Sequence, residues 1–504
     1  MSTGIAETNP NACQGGMNAP RAESEDTLHH DNEAKEETDG LSSHHPTEGD
    51  HEKGRNQPPK PVGFWDKRLN HVRKEIFLKW SLTTLILCTL ILTVLSLYWG
   101  VLFHVDQNLS SLAIYVADFD GQIPPYNNGE TPIVGPAIVQ LMQRTLQESP
   151  VHLGYVSLPP SHFSYDPMNV RREVYNFNAW AAVIVNPNAT AMLRSAVQNG
   201  NSSYDPLGAC QVIFTDSRDD TVWYDFVYPL LSEFMTEATS MVGGMWTQQV
   251  LQNASNPTAL ANIQKVPQAL SPAIGFSMFN LRPFVPFVAI PAVTIGLIYL
   301  IILSFFSFSF YLPIHKHFLQ PEGHPPLKLY QMIIWRYVAT MAAYFCMSLA
   351  YSLISLAFQI PFSNKSGPET EMAMHANAYG KGTFVVYWML NFVGMAALGL
   401  ACENVAMLIG QPWTAFWLIF WVISNVSTAF YNISIAPRFY YWGFAWPLHN
   451  IVEASRQIIF DLHSRIGLNF GVLFTWVALN TAFFPLCCIF MGWKHRKGIH
   501  EYYA

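Results

Sequence analysis

Long stretches without charged residues constrain this chain more than any other feature of its sequence. The first, residues 81–103, contains no charged side chain. A helix rises 1.5 Å per residue and needs about 20 apolar residues to cross a hydrocarbon core ~30 Å thick. Only 12% of the 504 residues are charged, whereas soluble domains carry about 25%. The sequence therefore predicts an integral membrane protein.

Five more apolar stretches of spanning length follow the first. Together they predict an α-helical polytopic membrane protein with about six transmembrane helices. The predicted spans are 81–103, 283–314, 337–362, 382–409, 412–434 and 466–493.

Lysine and arginine residues indicate the orientation of these spans, because they accumulate on the cytosolic side of a membrane. They occur in the basic juxtamembrane segment 63–80, in the loop 315–336 and in the tail 494–504. Six spans return the chain to its starting side, so both termini are predicted to be cytosolic. The acidic, polar tail 1–62 has almost no large apolar residues and is predicted to be a disordered cytosolic segment.

Asn-X-Ser/Thr sequons fit this orientation, because they are glycosylated only outside the cytosol. Candidate N-glycosylation sites lie in the large loop after the first span and in or beside the outside segments 363–381 and 435–465: Asn108, Asn188, Asn201, Asn253, Asn364 and Asn432. A further match, Asn425, lies inside the fifth predicted span and is expected to be unmodified.

Residues 104–282 form a large extracellular or lumenal domain between the first two spans. Apolar runs of strand length alternate there with segments whose apolar residues recur at helical spacing, which predicts an α/β domain. The predicted strands are 112–116, 151–158, 180–185 and 211–215, and the predicted helices are 134–146, 190–197 and 222–251.

Acidic residues at the ends of these predicted strands allow two interpretations. They could hold a cation or form a carboxylate pair, but Asp is also an ordinary turn residue, and the structural role is favoured. The residues are Asp118, Asp120, Asp216, Asp219 and Asp220.

Glu403 is the one acidic residue inside a predicted span. A carboxylate within the membrane is a candidate functional site, for example for proton coupling or for a cationic substrate. A helix–helix clamp or a position at headgroup level is the alternative, and it is slightly favoured. Gly394 and Gly399 on the same span are expected to permit close helix packing.

The outside segment before the last span contains a candidate amphipathic helix, at 451–465, with apolar and charged residues interleaved. Glu453 with Arg456, and Asp461 with Arg465, have helical spacing and are expected to pair. The segment could lie at the membrane surface and brace the exterior domain.

The chain offers no pattern typical of an enzyme or of a cofactor site. A single His-x-His, at His315 and His317, falls far short of the His boxes of membrane di-iron enzymes. No phosphate-binding Gly-x-x-x-x-Gly-Lys-Ser/Thr motif occurs, and no basic patch indicates nucleic-acid binding. The chain is therefore not expected to be an enzyme or to carry a metal or cofactor.

Several ordered motifs resemble those of the fungal nitrosoguanidine-resistance membrane proteins. The resemblance runs from about Trp65 to the end of the chain. The motifs are Tyr-Trp-Gly at 98–100, Val-Ala-Asp-Phe-Asp-Gly at 116–121, Val-Gly-Pro-Ala at 134–137, the stretch 179–190, Ser-Tyr-Asp-Pro at 203–206, Trp-Pro at 446–447, Ala-Ser-Arg at 454–456 and Gly-Leu-Asn-Phe-Gly at 467–471.

This resemblance implies a plasma-membrane protein that confers resistance to toxic small molecules or contributes to lipid organisation. The order of parts is similar to the permease domain of type-two ABC transporters, in which residues 435–465 would correspond to a re-entrant hairpin. The chain itself has no ATPase motif, so export would draw on a separate nucleotide-binding subunit or on a gradient.

Two functions remain open at this stage. The chain could support export of, or resistance to, toxic amphiphiles, or the organisation of lipids, within a fungal metabolite pathway or more generally. Its partners would then be the bilayer, a small amphiphilic substrate or lipid, and the nucleotide-binding subunit. Alternatively, it is a regulator or scaffold that does not transport and whose exterior domain binds a regulatory protein.

Overall fold

The computed structural model describes residues 61–127, 131–253, 257–318, 323–410 and 413–497. The predicted disordered tail therefore lies almost entirely outside the described residues, as does the end of the C-terminal tail. The chain divides into two compact units, Met1–Arg73 and Lys74–Ala504. In the described part of the first unit, Asp66 accepts the backbone N–H of Arg68 at 2.9 Å and caps the turn Lys67–Leu69.

The first predicted span is one long helical segment, Lys67–Gly100. It consists of α1 (Asn70–Leu90), a wider turn at Ile91–Leu95, and α2 (Ser96–Gly100). Its apolar side chains are largely exposed, as expected of a helix that faces lipid.

An α/β domain follows this helix. Its strands are β1 (Ala113–Asp118), β2 (Gly154–Leu158), β3 (Ala181–Val185), β4 (Cys210–Phe214) and β5 (Phe276–Asn280). Its helices are α3 (Val105–Asn108), α4 (Val134–Glu148), α5 (Pro167–Tyr175), α6 (Ala189–Asn199), α7 (Asp220–Val222), α8 (Tyr228–Asn253) and α9 (Pro257–Gln264).

The five strands form one mixed sheet in the order β2-β1-β3-β4-β5. β1 is parallel to β2 and β3, β4 is antiparallel to β3, and β5 is parallel to β4. All five residues of β3 are buried, because helices cover both faces of the sheet. Val116 and Val183 pack with α4, α6 and α8 on one face, while Ala117 and Ile184 pack with α5 on the other.

The remaining helices form a bundle. They are α10 (Ile290–Val293), α11 (Ile298–Lys316), α12 (Leu329–Ala357), α13 (Thr383–Ile409), α14 (Thr414–Ser427), α15 (Pro447–Phe460) and α16 (Ile466–Arg496).

Among the described residues, five helical segments are long and apolar enough to cross a membrane: Lys67–Gly100, Phe287–Lys316, Leu329–Ala357, Gly380–Ile409 and Ile466–Lys494. The protein is thus a helical polytopic membrane protein, as predicted. The span predicted at 412–434 corresponds to α14, which covers only 14 residues. The exact number of spans stays a prediction.

α13 is the most deeply buried of the long helices and lies at the centre of the bundle. Small residues let its neighbours approach closely, as expected from the sequence. A Cβ at Gly399 would overlap the Tyr344 hydroxyl on α12, and a Cβ at Gly394 would lie 2.6 Å from Cδ1 of Ile451 on α15.

α15 was expected to have one face at the membrane surface, but nearly all of its residues are buried. It packs against α13 and α16, and its charged residues contact the α/β domain. The structure therefore favours the interpretation in which this segment braces the domain.

Candidate functional site

Glu403 pairs with Arg336 inside the bundle. Arg336 Nη2 lies 3.2 Å from Glu403 Oε1, and Thr340 Oγ1 donates to the same oxygen at 3.3 Å. Both charged side chains are buried. Arg336 was predicted to lie in the loop 315–336, but α12 already begins at Leu329, so Arg336 projects from within the helix. This geometry supports the clamp interpretation of Glu403.

Other polar contacts surround this ion pair. Arg336 Nη1 lies 3.2 Å from Met407 Sδ, while Arg336 Nε has no hydrogen-bond partner among the described residues. Asn404 Nδ2 donates to Asn480 O at 2.9 Å. These contacts tie α12, α13 and α16 together, because buried polar groups in lipid need internal partners.

Asp120 caps two helices of the α/β domain. Its carboxylate accepts the backbone N–H of Thr190 at 2.9 Å, the Thr190 hydroxyl at 2.5 Å and the backbone N–H of Gly135 at 3.2 Å. The carboxyl ends of parallel strands are where such sheets usually bind ligands. Here the protein's own carboxylate satisfies the helix N-termini, which is the structural role.

Asp118 lies beside this cap. Its Oδ1 accepts the backbone N–H of Asp120 at 2.9 Å, and a Cβ at position 135 would overlap its carboxylate, which requires Gly135. Burial raises the pKa of Asp118 to about 6. The carboxylate is therefore costly to ionise, and nothing in its surroundings identifies a bound cation.

The other three candidate carboxylates serve separate contacts. Asp216 accepts the backbone N–H of Phe284 at 2.9 Å and the Tyr224 hydroxyl at 3.1 Å. Asp219 Oδ2 lies 3.0 Å from Arg456 Nη1, and Asp220 Oδ1 lies 3.7 Å from Arg456 Nη2. Within the described parts of the chain, no group of three or more His, Cys, Asp or Glu side chains could hold a metal ion.

Arg282 is a connecting residue that the sequence analysis missed. It lies two residues after the end of β5, is 1% exposed, and forms an ion pair with Asp461 at 3.1 Å. Its guanidinium also donates to the carbonyl oxygens of Glu371 at 3.0 Å and Gly367 at 3.0 Å. A single charged residue between two apolar runs was the available signal. Arg282 joins the domain to the segments that follow α12 and α15.

The two ion pairs predicted within 451–465 are wrong. Arg456 pairs with Asp219 of the α/β domain rather than with Glu453, and Asp461 pairs with Arg282 rather than with Arg465. α15 ends at Phe460, and Asp461 has the left-handed conformation of a helix end. Helical spacing therefore did not extend to Arg465.

A polar chamber lies between the α/β domain, α15 and the start of α16. The cavity has a volume of about 280 Å³. Its charged or titratable lining residues are Arg218, His449, Glu453, Arg456 and Arg465. The rest of the wall consists of uncharged polar side chains and of the apolar side chains of Phe177, Phe444, Leu462 and Leu468.

Arg218 is held rigidly in the wall of the chamber. Its guanidinium carbon lies 3.9 Å from the ring centroid of Trp180 and 4.5 Å from that of Phe177, and Nη1 donates to Ala179 O at 3.0 Å. Burial lowers the pKa of Arg218 to about 10, so it remains a cation at neutral pH.

The predicted glycosylation sites differ in their access. The Nδ2 atoms of Asn108, Asn364 and Asn432 donate to protein oxygens, and Asn188 is half-buried at the start of α6. Asn201 is exposed and, among the described residues, uses only its Oδ1, which accepts from Ser203. The side chain of Asn253 lies outside the described residues. Asn425 is buried.

Comparisons with known proteins identify a family and a related membrane protein. A family model described as a protein of unknown function (DUF3533) matches residues 83–482. An uncharacterized endoplasmic reticulum membrane protein of Saccharomyces cerevisiae is 26% identical over 442 residues, which cover 85% of this chain and 83% of the yeast protein. No solved structure matches the chain. The family match begins within α1 and ends within α16, so it includes the α/β domain.

Proposed function

This chain belongs to the family of proteins of unknown function DUF3533, and we propose that it binds amphiphilic molecules at the membrane surface. Its role would be to support export of, or resistance to, toxic small molecules, or the organisation of membrane lipids. The proposal includes no catalytic step and no cofactor.

The chamber is the observation that carries this proposal. It lies where the α/β domain meets α15 and the first turn of α16, which begins a candidate span. Pockets with a few charged groups beside apolar walls are typical of ligand sites.

The resemblance to nitrosoguanidine-resistance proteins extends the proposal to resistance against alkylating and other toxic amphiphiles. An organisation like the type-two ABC permease would require energy from a separate nucleotide-binding subunit, because the chain lacks an ATPase motif.

We place the protein in the plasma membrane of a fungus with both termini in the cytosol. The yeast relative is an endoplasmic reticulum membrane protein, so the endoplasmic reticulum is the competing location for this chain. Fluorescence microscopy of the tagged full chain at native expression separates them.

The test compares cells with the wild-type chain, cells without it, and cells with Arg218→Ala or Glu453→Ala. Survival in nitrosoguanidine and efflux of a fluorescent amphiphile are measured. We expect deletion to reduce both, and each chamber variant to reproduce most of that reduction at equal protein levels.

Arg438→Ala is the matched control, because Arg438 is exposed and does not line the chamber. It should behave as the wild type. Unchanged survival, efflux and lipid distribution after deletion of the whole protein would remove the proposal.

A scaffold without transport is the alternative, and one observation favours it. An open groove of about 950 Å³ runs along α8 and is lined by Thr239, Gly244 and Phe276. Affinity purification discriminates: a stoichiometric nucleotide-binding subunit supports export, whereas a signalling or lipid-regulating partner supports the scaffold. A Cβ at Gly244 meets nothing within 4 Å, so Gly244→Glu should fold normally and release a partner bound in this groove.

A further inference from the structure

We propose that the chamber binds the headgroup of a zwitterionic phospholipid, with the phosphate held by Arg218 and Arg465 and the ammonium group by Glu453. The acyl chains would remain in the membrane leaflet on the domain side. This inference rests on the proposed function, since it names the ligand class of the same site.

The position of the chamber fits a headgroup. Leu468 and Asn469 line it and belong to the first turn of α16, which begins the candidate span Ile466–Lys494. The neighbouring segment Arg438–Ala445 exposes Phe439, Tyr441 and Phe444. Aromatic side chains of this kind lie at the membrane–water interface, so the chamber is at the level of lipid headgroups.

The cationic groups of the chamber have N–H donors without hydrogen-bond partners among the described residues. Arg218 uses only Nη1 in a hydrogen bond among the described residues, and Arg465 is exposed with no hydrogen bond or ion pair from its guanidinium there. Arg456 is 4% exposed, and its Nε and Nη2 lack hydrogen-bond partners among the same residues. Guanidinium groups recognise phosphate oxygens through several N–H donors at once.

The opposite charge is also present. The Glu453 carboxylate is half-buried in the chamber wall and makes no hydrogen bond or ion pair within the described parts of the chain. His449 lies one turn before it, and burial lowers the pKa of this histidine, so it adds no charge at neutral pH. In the part of the chain that the structure describes, Glu453, Arg218 and Arg465 line one cavity and none of them forms an ion pair within 4 Å. A carboxylate and two guanidinium groups in this arrangement match a ligand that carries both an ammonium group and a phosphate.

The size of the chamber limits what it can hold. Sites for drug-sized molecules have volumes of roughly 300–1,000 Å³, whereas this cavity has about 280 Å³. A headgroup fits such a space, and the apolar part of an amphiphile would extend out of it toward the membrane. The apolar side chains of Phe444 and Leu468 at the wall suit the start of the acyl chains.

The experiment measures lipid binding to the purified full chain in detergent by native mass spectrometry. The probes are dihexanoyl-phosphatidylcholine, dihexanoyl-phosphatidylglycerol and dihexanoylglycerol, together with glycerophosphocholine and inorganic phosphate as competitors. We expect phosphatidylcholine to bind most tightly and dihexanoylglycerol least. Glycerophosphocholine should compete better than inorganic phosphate.

Two substitutions separate the two halves of the site. Glu453→Gln should weaken phosphatidylcholine about ten-fold, as the loss of one charged contact would, and leave phosphatidylglycerol unchanged. Arg465→Gln should weaken both lipids by a similar factor. Arg438→Gln is the control and should change neither. Neither Glu453 nor Arg465 makes a side-chain hydrogen bond among the described residues, so both variants should fold, and thermal unfolding of each variant checks this.

Equal binding of dihexanoylglycerol and phosphatidylcholine would overturn the inference, as would an unchanged phosphatidylcholine affinity in Glu453→Gln. Competition by inorganic phosphate as strong as that by glycerophosphocholine would also overturn it and indicate a simple anion site. If a variant fails to fold, the wild-type preference among the three lipids decides. Failure of this inference can be distinguished from failure of the proposed function. If the chamber variants lose efflux but the wild-type chain shows no preference among the lipids, the proposed function stands and only the ligand class is wrong.

Discussion

Glu403 lies on α13 at a depth where an isolated carboxylate would be costly, and Arg336 on α12 offsets much of that cost. The pair is buried on all sides, and Arg336 Nε still lacks a hydrogen bond among the described residues. Buried ion pairs often contribute little net stability, but removing one partner leaves an uncompensated charge. Replacing Glu403 should therefore reduce stability if its role is structural, and reduce activity at unchanged stability if its role is functional.

Glu403→Gln should therefore destabilise the protein by about 3–5 kcal/mol, the usual cost of breaking a buried ion pair. The double variant Arg336→Leu with Glu403→Leu should recover most of this loss. Thermal unfolding in detergent measures both. Glu371→Gln is the control, because this side chain is exposed. Wild-type stability of Glu403→Gln combined with lost efflux would instead identify a functional carboxylate.

Asp118 gives a pH-dependent prediction. Burial raises its pKa from 3.8 to about 6, so the folded protein binds the proton more tightly than the unfolded chain does. Stability therefore falls as the pH rises from about 4 to about 6, and the deficit persists above that range. Asp118→Asn keeps the oxygen that accepts the Asp120 N–H and removes the charge.

Asp118→Asn should match the wild type at pH 4 and be more stable by about 1–3 kcal/mol at pH 7. Chemical unfolding of the full chain at several pH values tests this. Asp106→Asn is the control, since Asp106 is exposed on α3. If the free energy of unfolding depended on pH in the same way for wild type and Asp118→Asn, the raised pKa of Asp118 would be contradicted.

The residues that join the α/β domain to the bundle could not be paired from sequence. Arg282 and Asp461 are 179 positions apart, and helical spacing constrains only partners within one helix. Glu403 could be singled out because a carboxylate in an apolar run stands alone. Its partner Arg336 could not, because a basic residue next to an apolar run is equally typical of a cytosolic loop end.

At the level of helices and strands, the apolar pattern predicted those elements whose own residues are buried in the core. β3 was recognisable because Ala181–Val185 is uniformly apolar and covered on both faces. α5 and β5 were missed. α5 contains Asn169, Arg171, Arg172 and Glu173 among its nine residues, and β5 is an edge strand with no fully buried residue. Their structure depends on the neighbouring elements rather than on their own pattern.

Helix packing around α13 yields a prediction for one glycine. A Cβ at Gly399 would overlap Tyr344 and lie 2.6 Å from Ser304 Cβ, so Gly399→Ala forces α13 away from α11 and α12. We expect a loss of about 1–3 kcal/mol, as for other overpacked cores. Thermal unfolding in detergent measures it.

Gly471→Ala on α16 is the matched control, because a Cβ there meets nothing within 4 Å. It should be neutral or slightly stabilising, since alanine is the better helix former. Equal stability of Gly399→Ala and Gly471→Ala would show that the helices around α13 can accommodate a Cβ at position 399 without loss of packing.

At the level of the whole molecule, α14 decides how many times the chain crosses the membrane. Its 14 residues reach only about 21 Å, yet the residues on either side of it lie at opposite ends of the bundle. Leu408, just before it, accepts a hydrogen bond from Lys494 at the end of α16. Asn432, just after it, contacts Asp219 of the α/β domain. A short helix can cross when the bilayer thins or flanking residues extend the path.

We therefore predict six crossings, with both termini in the cytosol and Asn201 glycosylated on the other side. Protease protection of tags at the two ends tests the first point: both should be cleaved only from the cytosolic side. Removal of one glycan by Asn201→Gln, seen as a mobility shift, tests the second, with Asn425→Gln in α14 as the silent control. Tags on opposite sides would mean that α14 does not cross, because the five longer segments alone give an odd number of crossings.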